Sequence, residues 1–179
     1  MSTQSTAHSE TVRIALTVNG QPHQVEVEPR RLLADVLRQD LALTGCNIGC
    51  AHGVCGSCTV LVNGETARSC LMFGVQADGA DITTLEGVAP SPLALHPIQE
   101  AFWEKQGLQC GYCTSGMILR ALEFLGENPN PTRAQVREAI AGNICRCTGY
   151  QFIVDAIMDA ATRMTAAAGG QAVRDHVAG

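Results

Sequence analysis

Residues 45–60 read GCNIGCAHGVCGSCTV, and within them Cys50-x4-Cys55-x2-Cys58 is followed at a distance by Cys70. C-x4-C-x2-C…C is a spacing by which four thiolates hold a [2Fe–2S] centre. Gly49, Gly53 and Gly56 surround the loop thiols, allowing left-handed turns and close approach of backbone N–H groups to sulfur. The fourth ligand follows from a turn. If Asn63-Gly64 closes a two-residue hairpin, Val62 faces Glu65 and Cys58 falls opposite Ser69, one step from Cys70. Cys46 lies too far N-terminal for this run, leaving a non-ligand thiol or a substitute for Cys50 or Cys70. Zinc is the rival metal, but closed zinc sites pair C-x2-C with a second such pair or with H-x3-5-H. Only Cys55/Cys58 forms such a pair here, and His52 is expected at the loop surface or behind the ligands.

Outward from this loop the pattern is that of a small mixed sheet. Val12–Val18 alternates as a strand, Asn19-Gly20 marks a hairpin, and His23–Val27 alternates on the return. Leu32, Leu33, Val36, Leu37 and Leu41 have helical spacing within Arg31–Leu41. A second hairpin runs Thr59–Val62 and returns through Thr66–Leu71, and Asp81–Leu85 offers a last strand. Two hairpins embracing one helix describe a β-grasp domain, 11–86, after a disordered extension, 1–10.

Beyond Glu86 the texture changes. Residues 87–97 (GVAPSPLALHP) hold three prolines and read as a linker. Helices follow: Ile98–Gln106; Ser115–Leu125, stopping at Gly126; one opened by a Thr132/Gln135 capping box; and Phe152–Met164. They predict a four-helix domain over 98–165, then a flexible Ala/Gly-rich tail, 166–179. The fold class is thus α+β. Glu100 and Glu104 read as solvated helix faces.

The second half has its own thiols. Cys110-Gly111-Tyr112-Cys113 precedes the second of these helices, and Cys145-Arg146-Cys147-Thr148-Gly149 the fourth. Each pair sits at a helix N-terminus, where free N–H groups and the positive dipole end favour a net-negative cluster. Gly111 and Gly149 let the backbone come close. C-x2-C alone suits a thioredoxin-like redox pair, but no βαβ unit surrounds it.

Composition agrees with metal binding inside a folded chain. The 179 residues are 46% hydrophobic with net charge −5 and nine cysteines, and mean hydropathy is +0.08. A disulfide scaffold would be shorter and need no such core. Without a basic run, nucleic acid is not an expected partner. No apolar stretch approaches the roughly 20 residues of a membrane span. Met1–Glu10 lacks a secretory pattern, so the expected location is cytoplasmic.

Three strings, GCNIGCAHGVCGSCTV (45–60), LQCGYCTSGMI (108–118) and GNICRCTGY (142–150), closely resemble the small iron–sulfur subunit of the xanthine oxidase family of molybdenum hydroxylases, over Val12–Met164. The resemblance implies an N-terminal plant-ferredoxin-like domain and a C-terminal four-helix bundle, each with one [2Fe–2S] cluster. It implies Cys50, Cys55, Cys58 and Cys70 as ligands of the first, and Cys110, Cys113, Cys145 and Cys147 of the second, leaving Cys46 outside. It further implies a large partner subunit with molybdopterin cytosine dinucleotide, contacted through Gln109 and Cys147, and a medium FAD subunit, in an αβγ or (αβγ)2 assembly. Ser115 stands where many relatives have Pro.

The expected role is an internal wire, with electrons passing from the molybdopterin centre through both clusters to FAD and no catalytic residue on this chain. The enzyme's expected substrate is N-heteroaromatic, hydroxylated with water; an aldehyde, CO or an acyl-CoA thioester is the alternative. The rival class is a free-standing two-cluster carrier.

Overall fold

The computed structural model of the chain describes residues 10–91 and 93–177. β1 (Val12–Val18) and β2 (Gln21–Val27) pair antiparallel across Asn19-Gly20, with Val12 facing Val27 and Val18 facing Gln21. β3 (Thr59–Val62) and β4 (Glu65–Arg68) pair across Asn63-Gly64 with Val62 facing Glu65. All four turn residues have positive φ, the two-residue turn whose twist suits the flanking strands. β5 (Asp81–Thr83) joins the hairpins, parallel to β1 and antiparallel to β3, in the order β2-β1-β5-β3-β4.

The inward side chains of β1, Ile14, Leu16 and Val18, pack with Ile82, Leu33 and Leu37 in one core. Each such side chain taken from water contributes about 1.5–3 kcal/mol. The helix expected over Arg31–Leu41 is shorter and wider. α1 covers Leu33–Asp35 and continues as a π turn, Val36–Asp40, closed by the Leu41 N–H to the Val36 carbonyl at 3.2 Å. The extra residue in the turn lets Leu33, Val36 and Leu37 all face the sheet, and each is fully buried.

Four helices follow: α2 (Pro97–Glu104), α3 (Thr114–Glu127), α4 (Arg133–Ala139) and α5 (Gln151–Val177). Their second core gathers Ile98, Phe102, Met117, Ile140, Ile153 and Ile157. Thr132 and Gln135 form the expected capping box at α4. α3 does not stop at Gly126; it runs to Glu127 and is capped by Asn128, ahead of Pro129. The backbone of α5 stays helical to Val177, through most of the stretch expected as a flexible tail. Met1–Ser9, most of the expected disordered extension, lie outside the described residues. Glu100 and Glu104 are not merely solvated: both meet Arg163 of α5, which also pairs with Asp159 at 2.6 Å. These contacts lower the Glu104 carboxyl below its ordinary range, the Arg163 hydrogen bond first.

Candidate metal centres

The first group of thiols grows out of one loop and one hairpin. Cys50 and Cys55 lie in the loop, Cys58 immediately before β3, and Cys70 in a 3-10 turn, Ser69–Leu71, after β4. The hairpin register continues past Thr59 and Arg68, since the Ser69 N–H donates to the Cys58 carbonyl at 3.2 Å. Cys58 is therefore opposite Ser69, as the count from Asn63-Gly64 requires. The Cys55 N–H donates to Cys50 Sγ at 3.4 Å, and the Cys58 side chain acts on the Cys70 thiol. Gly49 is needed for space: a Cβ there would stand 3.0 Å from Cys55 Sγ.

Loop amides act on these sulfurs. The N–H of Cys55 foremost holds the Cys50 thiol down at about 6, a group ready to ionise at neutral pH. Burial pushes Cys70 up to about 11. His52 is exposed, its Nδ1 2.5 Å from the Cys50 carbonyl oxygen. Cys46 is buried beneath the loop, its Sγ 3.1 Å from Ser69 Oγ and 3.8 Å from the Cys58 carbonyl, and burial raises it to about 11.

The second group joins two distant segments. Cys113 caps α3, while Cys145 and Cys147 lie in the turns that lead into α5. Cys110 and Cys147 approach to 3.5 Å, and the Cys145 side chain acts on the Cys113 thiol. Each pair joins a thiol held down to one pushed up. Cys110 is lowered by the Tyr112 N–H, and Cys147 is raised by Cys110. Cys145, although burial opposes it, is lowered by the hydroxyl and N–H of Thr148, while burial pushes Cys113 up to about 12. Cys110 and Cys147 are exposed. Beside them Gln109 is exposed in a shallow cleft with Trp103, Leu108 and Phe152.

These donors fit a dinuclear iron centre. Two sulfurs on one tetrahedral metal, each bound at about 2.3 Å, stand about 3.8 Å apart, close to the Cys110–Cys147 gap of 3.5 Å. Among the described residues no three His, Cys, Asp or Glu side chains converge where a lone ion would sit. A pair of irons takes two thiolates each, and Cys110 and Cys147 stand as one such pair.

Residues that spacing did not single out bring the groups together. The Ile144 N–H, next to Cys145, donates to the Cys55 carbonyl at 2.8 Å. Tyr112, between Cys110 and Cys113, donates its hydroxyl to the Ile48 carbonyl at 2.7 Å. Glu123 of α3 accepts from the N–H and hydroxyl of Thr66 on β4, at 2.6 and 2.8 Å. Asn143 and Arg68 also cross between the loops. The places of Tyr112 inside the 108–118 string, and of Asn143 and Ile144 inside the 142–150 string, were the only hints at them.

Residues 16–83 match the 2Fe-2S iron-sulfur cluster binding domain, and residues 84–158 the [2Fe-2S] binding domain. The chain is 51% identical to the nicotine 6-hydroxylase small subunit of Paenarthrobacter nicotinovorans over 152 residues, 85% of this chain and 91% of that one. It is 50% identical to the caffeine dehydrogenase subunit gamma of Pseudomonas sp. (strain CBB1) over 147 residues, covering 80% and 87%. Among solved structures, quinoline 2-oxidoreductase from Pseudomonas putida 86 superposes with a TM-score of 0.83 at 49% identity, covering 86% of this chain and 96% of that chain.

Proposed function

We propose, from the premise that the chain belongs to the small iron–sulfur subunits of molybdenum hydroxylases, that it carries electrons between two larger subunits of one such enzyme. The chain has two [2Fe–2S] domains, read here as a plant-ferredoxin-like domain, 11–86, a linker, 87–97, and a four-helix domain, 98–165. Cys50, Cys55, Cys58 and Cys70 hold the first cluster. Cys110, Cys113, Cys145 and Cys147 hold the second. Each cluster, when bound, takes up and gives off one electron at a time.

The residues of the chain position and tune. Cys50 with Cys55, and Cys58 with Cys70, are the pairs that share an iron in the first site; Cys110 with Cys147, and Cys113 with Cys145, do so in the second. Their support is the 3.5 Å approach of the Cys110 and Cys147 sulfurs, the Cys55 N–H on Cys50 Sγ, and the influence of the Cys58 and Cys145 side chains on the Cys70 and Cys113 thiols. The N–H groups of Cys55 and Thr148 donate to ligand sulfurs, an interaction that strengthens as negative charge arrives. No side chain of this chain acts as acid, base or nucleophile.

The single observation that carries the direction of flow is exposure at one end. Cys110 and Cys147 lie open beside Gln109, whereas Cys58 and Cys70 are buried. With that exposure, the family resemblance implies that Gln109 and Cys147 face the molybdopterin of a large subunit and that the first cluster serves FAD on a medium subunit. The names of its relatives, for nicotine, caffeine and quinoline, point to an N-heteroaromatic substrate hydroxylated with water. Nine free thiols suit a reducing compartment, which supports a cytoplasmic location. Among the described residues no helix is long and apolar enough to cross a membrane.

Cys147→Ser tests the assignment. In the assembled enzyme it is expected to remove the second cluster and abolish turnover, while the electron paramagnetic resonance signal of the first persists. Retained turnover would refute the linear route.

A further inference from the structure

The loops that bear the two thiol groups are locked together by one buried amide. Asn143 is 1% exposed, and its side-chain N–H groups donate to the Gly56 carbonyl at 3.0 Å and to Thr59 Oγ1 at 3.4 Å. Its Oδ1 accepts from the Arg68 guanidinium at 3.4 Å. The same guanidinium donates to the Gly142 carbonyl at 2.8 Å and to Thr59 Oγ1 at 2.5 Å. Gly56 follows Cys55 and Thr59 follows Cys58, while Arg68 stands two before Cys70, and Asn143 and Gly142 two and three before Cys145. The Ile144 amide completes the lock on the Cys55 carbonyl.

The packing leaves no room to slide. A Cβ on Gly56 would lie 2.7 Å from the Gly142 carbonyl oxygen, and one on Gly116, at the start of α3, 2.2 Å from the Gly56 carbonyl oxygen. Both obstacles are backbone, so neither can swing aside. Three ligand-bearing segments, around Cys55, Cys113 and Cys145, thus meet at one inflexible point.

We propose that Asn143 and Arg68 are positioning residues for electron exchange between the two centres, fixing the gap across which the electron passes. The proposal rests on the ligand assignment made above. The transfer oxidises one centre and reduces the other by one electron; no bond in the chain forms or breaks. Its rate falls steeply with each added ångström, and the dipolar coupling of two reduced centres falls as the inverse cube of their separation. A spacer that holds the gap therefore governs both quantities.

The test uses the full chain with both clusters loaded, as parent, Asn143→Ala and Arg68→Lys. A lysine lacks the two separate nitrogens from which Arg68 reaches Thr59 and Gly142. Loaded variants are expected to keep both cluster signals, with a diminished spin–spin splitting on full reduction and a several-fold slower internal equilibration after pulse reduction. Variants whose splitting and rate match the parent overturn the proposal. If Asn143→Ala does not accumulate, Arg68→Lys, at a half-buried position, decides alone. Fewer than two cluster signals in the loaded parent would refute the ligand assignment instead.

Discussion

Cys46 shows how little residue type alone decides. It sits four positions before Cys50, is buried like the proposed ligands Cys58 and Cys70, and its thiol meets Ser69 Oγ and the Cys58 carbonyl rather than another sulfur. Ser69 Oγ also donates to the Cys58 carbonyl at 2.7 Å, so Cys46 belongs to the packing beneath the first site. Cys46→Ala is expected to leave the iron content of the loaded chain unchanged. It should cost about 1 kcal/mol of stability, the usual size for a small buried truncation. Iron analysis with thermal melts checks both, and loss of one cluster's iron would move Cys46 into the ligand set. The ligand thiols differ from Cys46 in having sulfur neighbours or amides, and these lie in turns that only a folded loop supplies.

Two glycines of α3 have opposite meanings, although the chain presents both simply as helix breakers. Gly126 faces open space, with no protein atom within 4 Å of a would-be Cβ, and no positive φ. Gly126→Ala is expected to stabilise the chain by up to about 1 kcal/mol through helix propensity. Gly116→Ala gains the same propensity but drives its methyl into the Gly56 carbonyl. Overpacking costs about 1–3 kcal/mol. The carbonyl cannot retreat, held by Thr59 and Asn143 at 2.6 and 3.0 Å, so the net effect is destabilising. Urea titration of both variants separates the cases; a stabilised Gly116→Ala would show that the loop yields. The Asn-Gly hairpins were legible beforehand, since a two-residue turn fixes register by itself. The width of the turn over Val36–Asp40 was not, because helical spacing and its wider variant bury nearly the same leucines.

The chain as a whole is held together across its two cores by Glu123. Burial alone would raise this carboxyl, but hydrogen bonds from the Thr66 N–H and hydroxyl, and from Arg120, outweigh it and lower it below its ordinary range. A carboxyl depressed in the folded state adds stability above its unfolded value and loses it as pH falls through the folded one. Stability of the chain is therefore expected to fall on acidification below about pH 4.5, the ordinary value of the group. Glu123→Gln should be less stable than the parent at neutral pH, with the difference shrinking in acid. Melts across that range are the check, and a gap that stays constant with pH would remove Glu123 from the link between β4 and α3.

The kind of cluster and the four proposed thiols of the first site could be read from the chain, because ligand spacing within a loop and register across a tight turn are local properties, whereas the four proposed for the second site came from the family resemblance. Cys50, Cys55 and Cys58 lie within one loop, and Cys70 is reached by counting from Asn63-Gly64. Which thiols touch across the second site, and what bolts that site to the first, emerged only on folding. Cys110 meets Cys147 across 37 residues, and Asn143 reaches Gly56 across 87. Contacts of that range are set by how two separate cores pack, and a buried amide between loops leaves no periodic trace in the order of residues.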